Sequence, residues 1–149
     1  MTFTVYGNPA PQGSKRAFVV NGRAVMTENS KAVKPWRTAV EQAVMLASPP
    51  GSRKDAILFR GPVALDVTFT MPRPKSAKAG ARPCGSRNDL DKLLRSTLDA
   101  LTTAGVYEDD GRVVSMIAEK VYPQGQMIDD GTESRALTMP GAVITVENI

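Results

Sequence analysis

An α+β fold is predicted, a single domain spanning residues 1–149 with a mixed β-sheet of about five to six strands and two main helices. Three observations predict it. From Val63 to Met71, Val63, Leu65, Val67, Phe69 and Met71 alternate with Ala64, Asp66, Thr68 and Thr70, the period-two signature of a strand. Leu90, Leu93, Leu94, Leu98 and Leu101 recur at i, i+3, i+4, the stripe of an amphipathic helix. A chain of 149 residues that is 42% hydrophobic is long and apolar enough for one core, with no repeat, low-complexity tract or long linker to divide it.

The elements follow in order. Thr2–Tyr6 is β-branched and aromatic and predicts a strand. Gly7–Ser14, with two prolines and two glycines, predicts a loop closed by Lys15 and Arg16. Ala17–Val20 and Arg23–Met26 flank Asn21-Gly22, a strong two-residue hairpin signal. Asn29 or Ser30 is placed to cap a helix running to about Ala47, its regular part beginning at Pro35 and its apolar stripe being Trp36, Val40, Val44 and Leu46. Pro49-Pro50-Gly51-Ser52 ends that helix. After the Val63 strand, the loop Pro72–Arg87 carries five basic residues and no acid. It reads either as a solvated surface loop or as a phosphate-contacting one.

A second helix is expected over Asn88–Thr103, with Asn88 as its N-cap, Gly105 as its stop, and Lys92, Arg95, Ser96 and Asp99 opposite the leucine stripe. Val106–Asp110 is expected to be extended or a turn, Arg112–Tyr122 a long strand, and Gln124–Pro140 a loop. Ala142–Glu147 is expected as a final strand at a sheet edge.

Composition removes whole classes of chemistry. The chain has no histidine, which excludes a histidine general base, a Ser-His-Asp or Cys-His nucleophile and a histidine-ligated zinc. Its one cysteine, Cys84, excludes an intrachain disulfide. No apolar run approaches the ~20 residues of a membrane span, and the N-terminal stretch lacks the pattern of a secretory signal, so a cytoplasmic location and no membrane partner are expected. Charge is unevenly placed. Residues 1–87 carry 14 Lys/Arg against 4 Asp/Glu, and residues 88–149 carry 5 against 11. A basic block beside an acidic one suggests a polyanion-binding face next to a cation site.

The acids fall into two clusters, Asp89 with Asp91 at a helix start and Glu108-Asp109-Asp110 before a strand. Taken alone, the first reads as helix capping and dipole matching, the second as an Asx turn. Taken together beside the basic block, they read as a carboxylate site. Carboxylates around one point repel unless a cation joins them, and oxygen-only ligation suits Mg²⁺ or Mn²⁺. Such a site hydrolyses phosphodiesters without histidine.

The stretch Arg87-Asn88-Asp89-Leu90-Asp91-Lys92-Leu93-Leu94, then Leu98-Asp99-Ala100-Leu101, Gly105-Val106-Tyr107-Glu108-Asp109-Asp110, Val113-Val114 and Lys120 resembles the RusA family of Holliday junction resolvases. The match runs without gaps from Arg87 to Lys120, with weaker similarity over the N-terminal strand, its proline-rich loop and the first helix. The resemblance implies a homodimeric, Mg²⁺-dependent DNA endonuclease that nicks four-way junctions in pairs, in a bacterial or phage-infected cell. It implies Asp89, Asp91 and Asp110 as metal-binding catalytic carboxylates, Asp109, their neighbour in the acidic turn, as a further candidate metal ligand, and Lys120 as the strand lysine.

Two positions depart from the family pattern. Lys92 stands where the family has Asn, and Arg95 where it has a lysine. Arg95 keeps the positive charge but does not give up a proton, so Lys92, Arg95 and Lys120 share the candidate role beside the phosphate. Asp99, one turn beyond Arg95, is expected to pair with it. Lys15, Arg16, Arg73, Lys75, Lys78, Arg82 and Arg87 are the candidate DNA-phosphate contacts. Phe69 and Met71 are expected in the core, continuing the Val63 stripe. Two other readings stand beside this one: a non-catalytic protein that binds branched DNA, and a metal nuclease acting on flaps or other branches.

Geometry adds one expectation. A helix from Asp91 to Thr103 is about 18–20 Å long. Asp110 reaches back toward Asp91 only if residues 104–110 return along the helix as an extended segment of at most ~25 Å.

Overall fold

A computed structural model describes residues 1–13, 16–27, 31–51, 56–77, 84–123 and 135–149, with backbone alone for residues 16–20 and 24–27. The expected cap residues Asn29 and Ser30, the basic residues Lys15, Lys78 and Arg82, and most of the 124–140 loop lie outside the described residues.

Six strands form among the described residues, but they do not share one sheet. Strands β1 (Thr2–Tyr6), β4 (Val63–Thr70), β5 (Val113–Val121) and β6 (Gly141–Asn148) make a four-stranded sheet in the order β1-β6-β4-β5. Strands β2 (Arg16–Val20) and β3 (Arg23–Thr27) form a separate hairpin sheet. Its turn has Asn21 at φ 49° and Gly22 at φ 75°, both in the left-handed region that a tight two-residue turn demands. The main sheet is therefore smaller than the expected five to six strands, because the hairpin satisfies its own hydrogen bonds locally.

The sheet is mixed. β6 runs antiparallel to β1 and β4, and β4 runs parallel to β5. The parallel pair is joined through helix α2 (Leu90–Thr103), the usual way to connect parallel strands. Helix α1 (Val33–Ala47) packs against β1 and α2. β6 lies between β1 and β4, not at the edge expected for it. Local alternation in Ala142–Glu147 reports a strand but carries no information on its neighbours. The open edges are β1 and β5.

Side-chain period explains which faces are buried. Val33, Trp36, Val40 and Val44 of α1 are buried, whereas Leu46, expected in that stripe, is exposed. It sits two residues beyond Val44, about 200° around the helix. On α2, Leu93, Leu94, Ala100 and Leu101 are buried, and so are Ser96 and Thr97. Ser96 was expected on the solvent side. The burial arises because α2 is covered by α1 as well as by the sheet: Trp36 Nε1 donates to Thr97 Oγ1 at 3.1 Å, and Thr97 Oγ1 donates back to the Leu93 carbonyl at 2.9 Å. Val63, Leu65, Val67, Phe69 and Met71 join the same core, as the alternation predicts. Thr68 and Thr70, on the other face of β4, are also buried. That face is covered in part by the segment before β6, where the Leu137 amide donates to Thr70 Oγ1 at 2.9 Å and Arg135 pairs with Asp66.

Candidate active site

The acidic helix start is built at the junction of α2, β5 and two loops. The N-cap of α2 is Asp89, one residue later than the expected Asn88. Asp89 holds the extended φ/ψ of a cap (−66°, 132°), yet its carboxylate accepts no hydrogen bond from a helix amide. It pairs instead with Lys92, Oδ2 to Nζ 2.7 Å, both side chains being substantially exposed. The Lys92 hydrogen bond, then its charge, hold the Asp89 carboxyl below the usual range, and the Lys120 charge adds to this. Reciprocally, Asp89 raises the Lys92 ammonium. Asp91 is exposed in the first turn, and makes no hydrogen bond or ion pair with a described residue through its side chain.

The second acidic cluster behaves differently. Residues 104–110 turn back beside α2 through turns and bends with a single bridge, not as the extended segment expected: Gly105 turns the chain at φ 75°, Leu58 and Phe59 amides donate to the Gly105 and Val106 carbonyls, and Phe59 bridges Tyr107 in parallel. Buried Tyr107 donates to the Leu98 carbonyl at 3.4 Å. Burial pushes its phenol up, and the Asp110 and Asp99 charges push it further. The Tyr107 hydroxyl thus sits at the Leu98 level of α2. Asp109 Oδ1 accepts from the Gly111 amide at 2.8 Å and caps the short 3₁₀ turn Asp110–Arg112, while Glu108 pairs with Arg112 at 3.2 Å. Asp110, exposed, makes no such bond through its carboxylate among the described residues.

The basic candidates also separate. Arg95 is exposed and is not the partner of Asp99, which pairs with Arg37 of α1 at 2.6 Å. That pair ties the two helices together, a long-range contact that the i, i+4 spacing of α2 did not reveal. Lys120 is half-buried; its Nζ donates to the Asn88 carbonyl at 2.6 Å and the Ser86 carbonyl at 3.2 Å. The Arg73 guanidinium lies 5.0 Å from the centre of the Tyr122 ring, and Lys75 and Arg87 are exposed. Only the backbone of Arg16 is described.

Some residues at the site carried no sequence signal. Gln12 in the proline-rich loop donates its amide to the Lys92 carbonyl at 3.0 Å, seating that loop on the first turn of α2. Among the described residues its Oε1 is buried without a partner, as are Ser86 Oγ and Ser96 Oγ. Gln12 and Ser86 lie by the start of α2, and Ser96 midway along it. A cavity of about 340 Å³ opens elsewhere, between the C-terminal ends of the two helices, where Thr38, Glu41, Leu58 and Thr103 help line it. No residue of the two acidic clusters lines that cavity.

The donor set suits a hard cation, since only carboxylate and other oxygen ligands are present. Among the described residues, however, no three acidic side chains gather closely enough to hold an ion. Mg²⁺ is commonly held by one or two carboxylates and completed by waters and substrate phosphates. Asp89 and Asp91 on one helix turn fit that mode. No described helix is long and apolar enough to cross a membrane.

Comparison with known proteins agrees with these observations. The family model for the endodeoxyribonuclease RusA matches residues 7–128. The uncharacterized protein YqaN of Bacillus subtilis (strain 168) is 28% identical over 137 residues, covering 85% of this chain and 91% of that protein.

Proposed function

Because the chain belongs to the RusA family of endodeoxyribonucleases, we propose that it is a Mg²⁺-dependent, structure-selective nuclease that resolves Holliday junctions by paired nicks across a homodimer. One observation carries the reading. Asp89 stands at the N-cap of α2 but gives its carboxylate to no helix amide, so the acidic motif is not spent on capping.

Asp89 and Asp91 would hold the cation; Asp110, which is not gathered with them in this structure, would be drawn in as a third carboxylate only as the ion and DNA bind. The chemistry such an ion supplies is Lewis-acid activation of water and stabilisation of the departing 3′ oxygen. The chain's own groups do the rest. Arg95, exposed one turn after Asp91, offsets the charge of the scissile phosphate. Lys92 holds the Asp89 carboxyl ionised. Lys75 and Arg87 are exposed at the two ends of the basic loop, where phosphate contacts position the junction without reading sequence.

The homodimer is supported by β5. This nine-residue edge strand leaves Val114, Met116 and Ile117 exposed. A long apolar edge is a template for a second chain unless it is covered, and an isologous pair covers both copies at once.

The test is a panel of labelled four-way, flap and linear DNA, with and without Mg²⁺. Symmetric nicks in the four-way junction that require Mg²⁺ are expected. Preference for flaps points to another branched substrate, and salt-sensitive binding without nicks points to a binding protein. Sedimentation equilibrium is expected to give twice the chain mass.

A further inference from the structure

Lys120 was a candidate for direct contact with the phosphate, and its surroundings give it another task. It lies in β5 opposite Phe69 of β4. Two of its three N–H donors are committed, to the carbonyls of Asn88 at 2.6 Å and Ser86 at 3.2 Å. Those carbonyls belong to the segment immediately before Asp89, outside the α2 hydrogen-bond ladder, where backbone acceptors need partners from elsewhere. Bonds from an ammonium are stronger than neutral ones, so the clamp is firm.

Immediately beyond the strand, buried Tyr122 faces the same loop, with the Arg73 guanidinium over its ring. The C-terminal end of β5 and the residue after it thus hold the basic loop near its start, at Arg73, and at its exit, at Ser86 and Asn88.

We propose that Lys120 is a positioning residue: by fixing the Ser86–Asn88 backbone it presents the Asp89 and Asp91 carboxylates and couples them to the basic loop. This rests on the reading that those carboxylates serve cleavage. Lys120 itself stays off the scissile phosphate.

The test compares Lys120→Met, Lys120→Arg and the unaltered protein. Hydrogen exchange of the amides of residues 86–92, in protein free of metal and DNA, is expected to rise in Lys120→Met and to stay native in Lys120→Arg, whose fork still spans two carbonyls. In junction cleavage, the Mg²⁺ concentration giving half-maximal rate is expected to rise about 10-fold or more in Lys120→Met, the usual cost of losing an outer-shell partner. The rate at saturating Mg²⁺ should stay within about threefold of native, and Lys120→Arg should restore the native requirement.

Unchanged exchange in Lys120→Met overturns the proposal. So does a rate loss of about 100-fold or more at saturating Mg²⁺ with an unchanged Mg²⁺ requirement, which would mark Lys120 as a catalytic group. If Lys120→Met does not fold, Lys120→Arg decides: native cleavage supports the clamp, whereas loss with a native Mg²⁺ requirement marks a proton donor that arginine cannot replace. If the unaltered protein cleaves no DNA, the nuclease reading fails, and the exchange measurement still decides what Lys120 holds.

Discussion

The two acidic clusters each leave one carboxylate uncommitted, and they differ in how the others are used. In the turn before β5, Glu108 pairs with Arg112 and Asp109 caps the 3₁₀ turn through the Gly111 amide, so two of three carboxylates are committed locally. At the start of α2, Asp89 forgoes the capping bond its position offers and pairs with the Lys92 side chain, and Asp91 makes no bond with a described residue. Asp91 and Asp110 are the members of the two clusters whose carboxylates make no hydrogen bond or ion pair among the described residues. A carboxylate bonded to a backbone amide, as Asp109 is, is part of the scaffold. One held at a helix N-terminus without a partner is available to a ligand.

The sharpest way to break this comparison is to neutralise the uncommitted pair. Asp91→Asn and Asp110→Asn are each expected to lower single-turnover junction cleavage by more than about 100-fold, beyond the range typical of outer-shell changes, while gel-shift affinity for the junction survives. Arg95→Ala is expected to cost about 10–100-fold in rate, and Arg95→Lys to recover most of it, since the charge is retained. The committed acids should matter least. Asp109→Ala should leave cleavage within about threefold and cost roughly 0.5–1 kcal/mol of stability through the lost turn bond, measured by urea denaturation. Glu108→Gln should cost less still, because its partner is a surface ion pair.

The smallest effect concerns the Asp89–Lys92 pair. Its folded-state carboxyl is depressed, so its contribution is present above the ordinary carboxylate value near 4 and is lost as pH falls through the lowered one. Lys92 is raised, so its contribution is present below about 10.4 and is lost as pH climbs through the raised value. Both groups are charged across the neutral range, and this pair adds no titration to the cleavage profile between about pH 5 and 9. In Lys92→Met, an NMR titration should show the Asp89 carboxyl returning toward its ordinary value.

Much of this was legible in the chain because it is local. The period-two run of β4, the leucine stripe of α2 and the Asn21-Gly22 turn each encode an element within a dozen residues. Helix rise and chain reach showed only that a return of residues 104–110 was possible and was needed if Asp110 was to meet Asp91. What escaped was set by partners distant in sequence. β6 became central because β1 and β4 both pair with it. The exposure of Leu46 follows from helix phase and was legible locally, whereas Ser96 was buried with α1 packed on α2. Asp99 chose Arg37, 62 residues away, over Arg95 on its own helix. At the site, the residue types and spacing of Asp89, Asp91 and Asp110 could be read directly, but not which carboxylates were committed. That depends on Lys92, Gly111 and Arg112 adopting particular geometries. Nor could the bonds of Lys120 to Ser86 and Asn88, on which its proposed positioning role rests, be read from the sequence.

The central claim is that the uncommitted carboxylates carry the chemistry. Its most direct test is a side-by-side, single-turnover measurement of four-way junction cleavage at saturating Mg²⁺ by Asp91→Asn, Asp110→Asn and Asp109→Asn. The account predicts that the first two lose cleavage while still binding the junction, and that Asp109→Asn cleaves within about threefold of the unaltered protein. Full activity in Asp91→Asn, or an Asp109→Asn variant as inactive as Asp91→Asn, would contradict it.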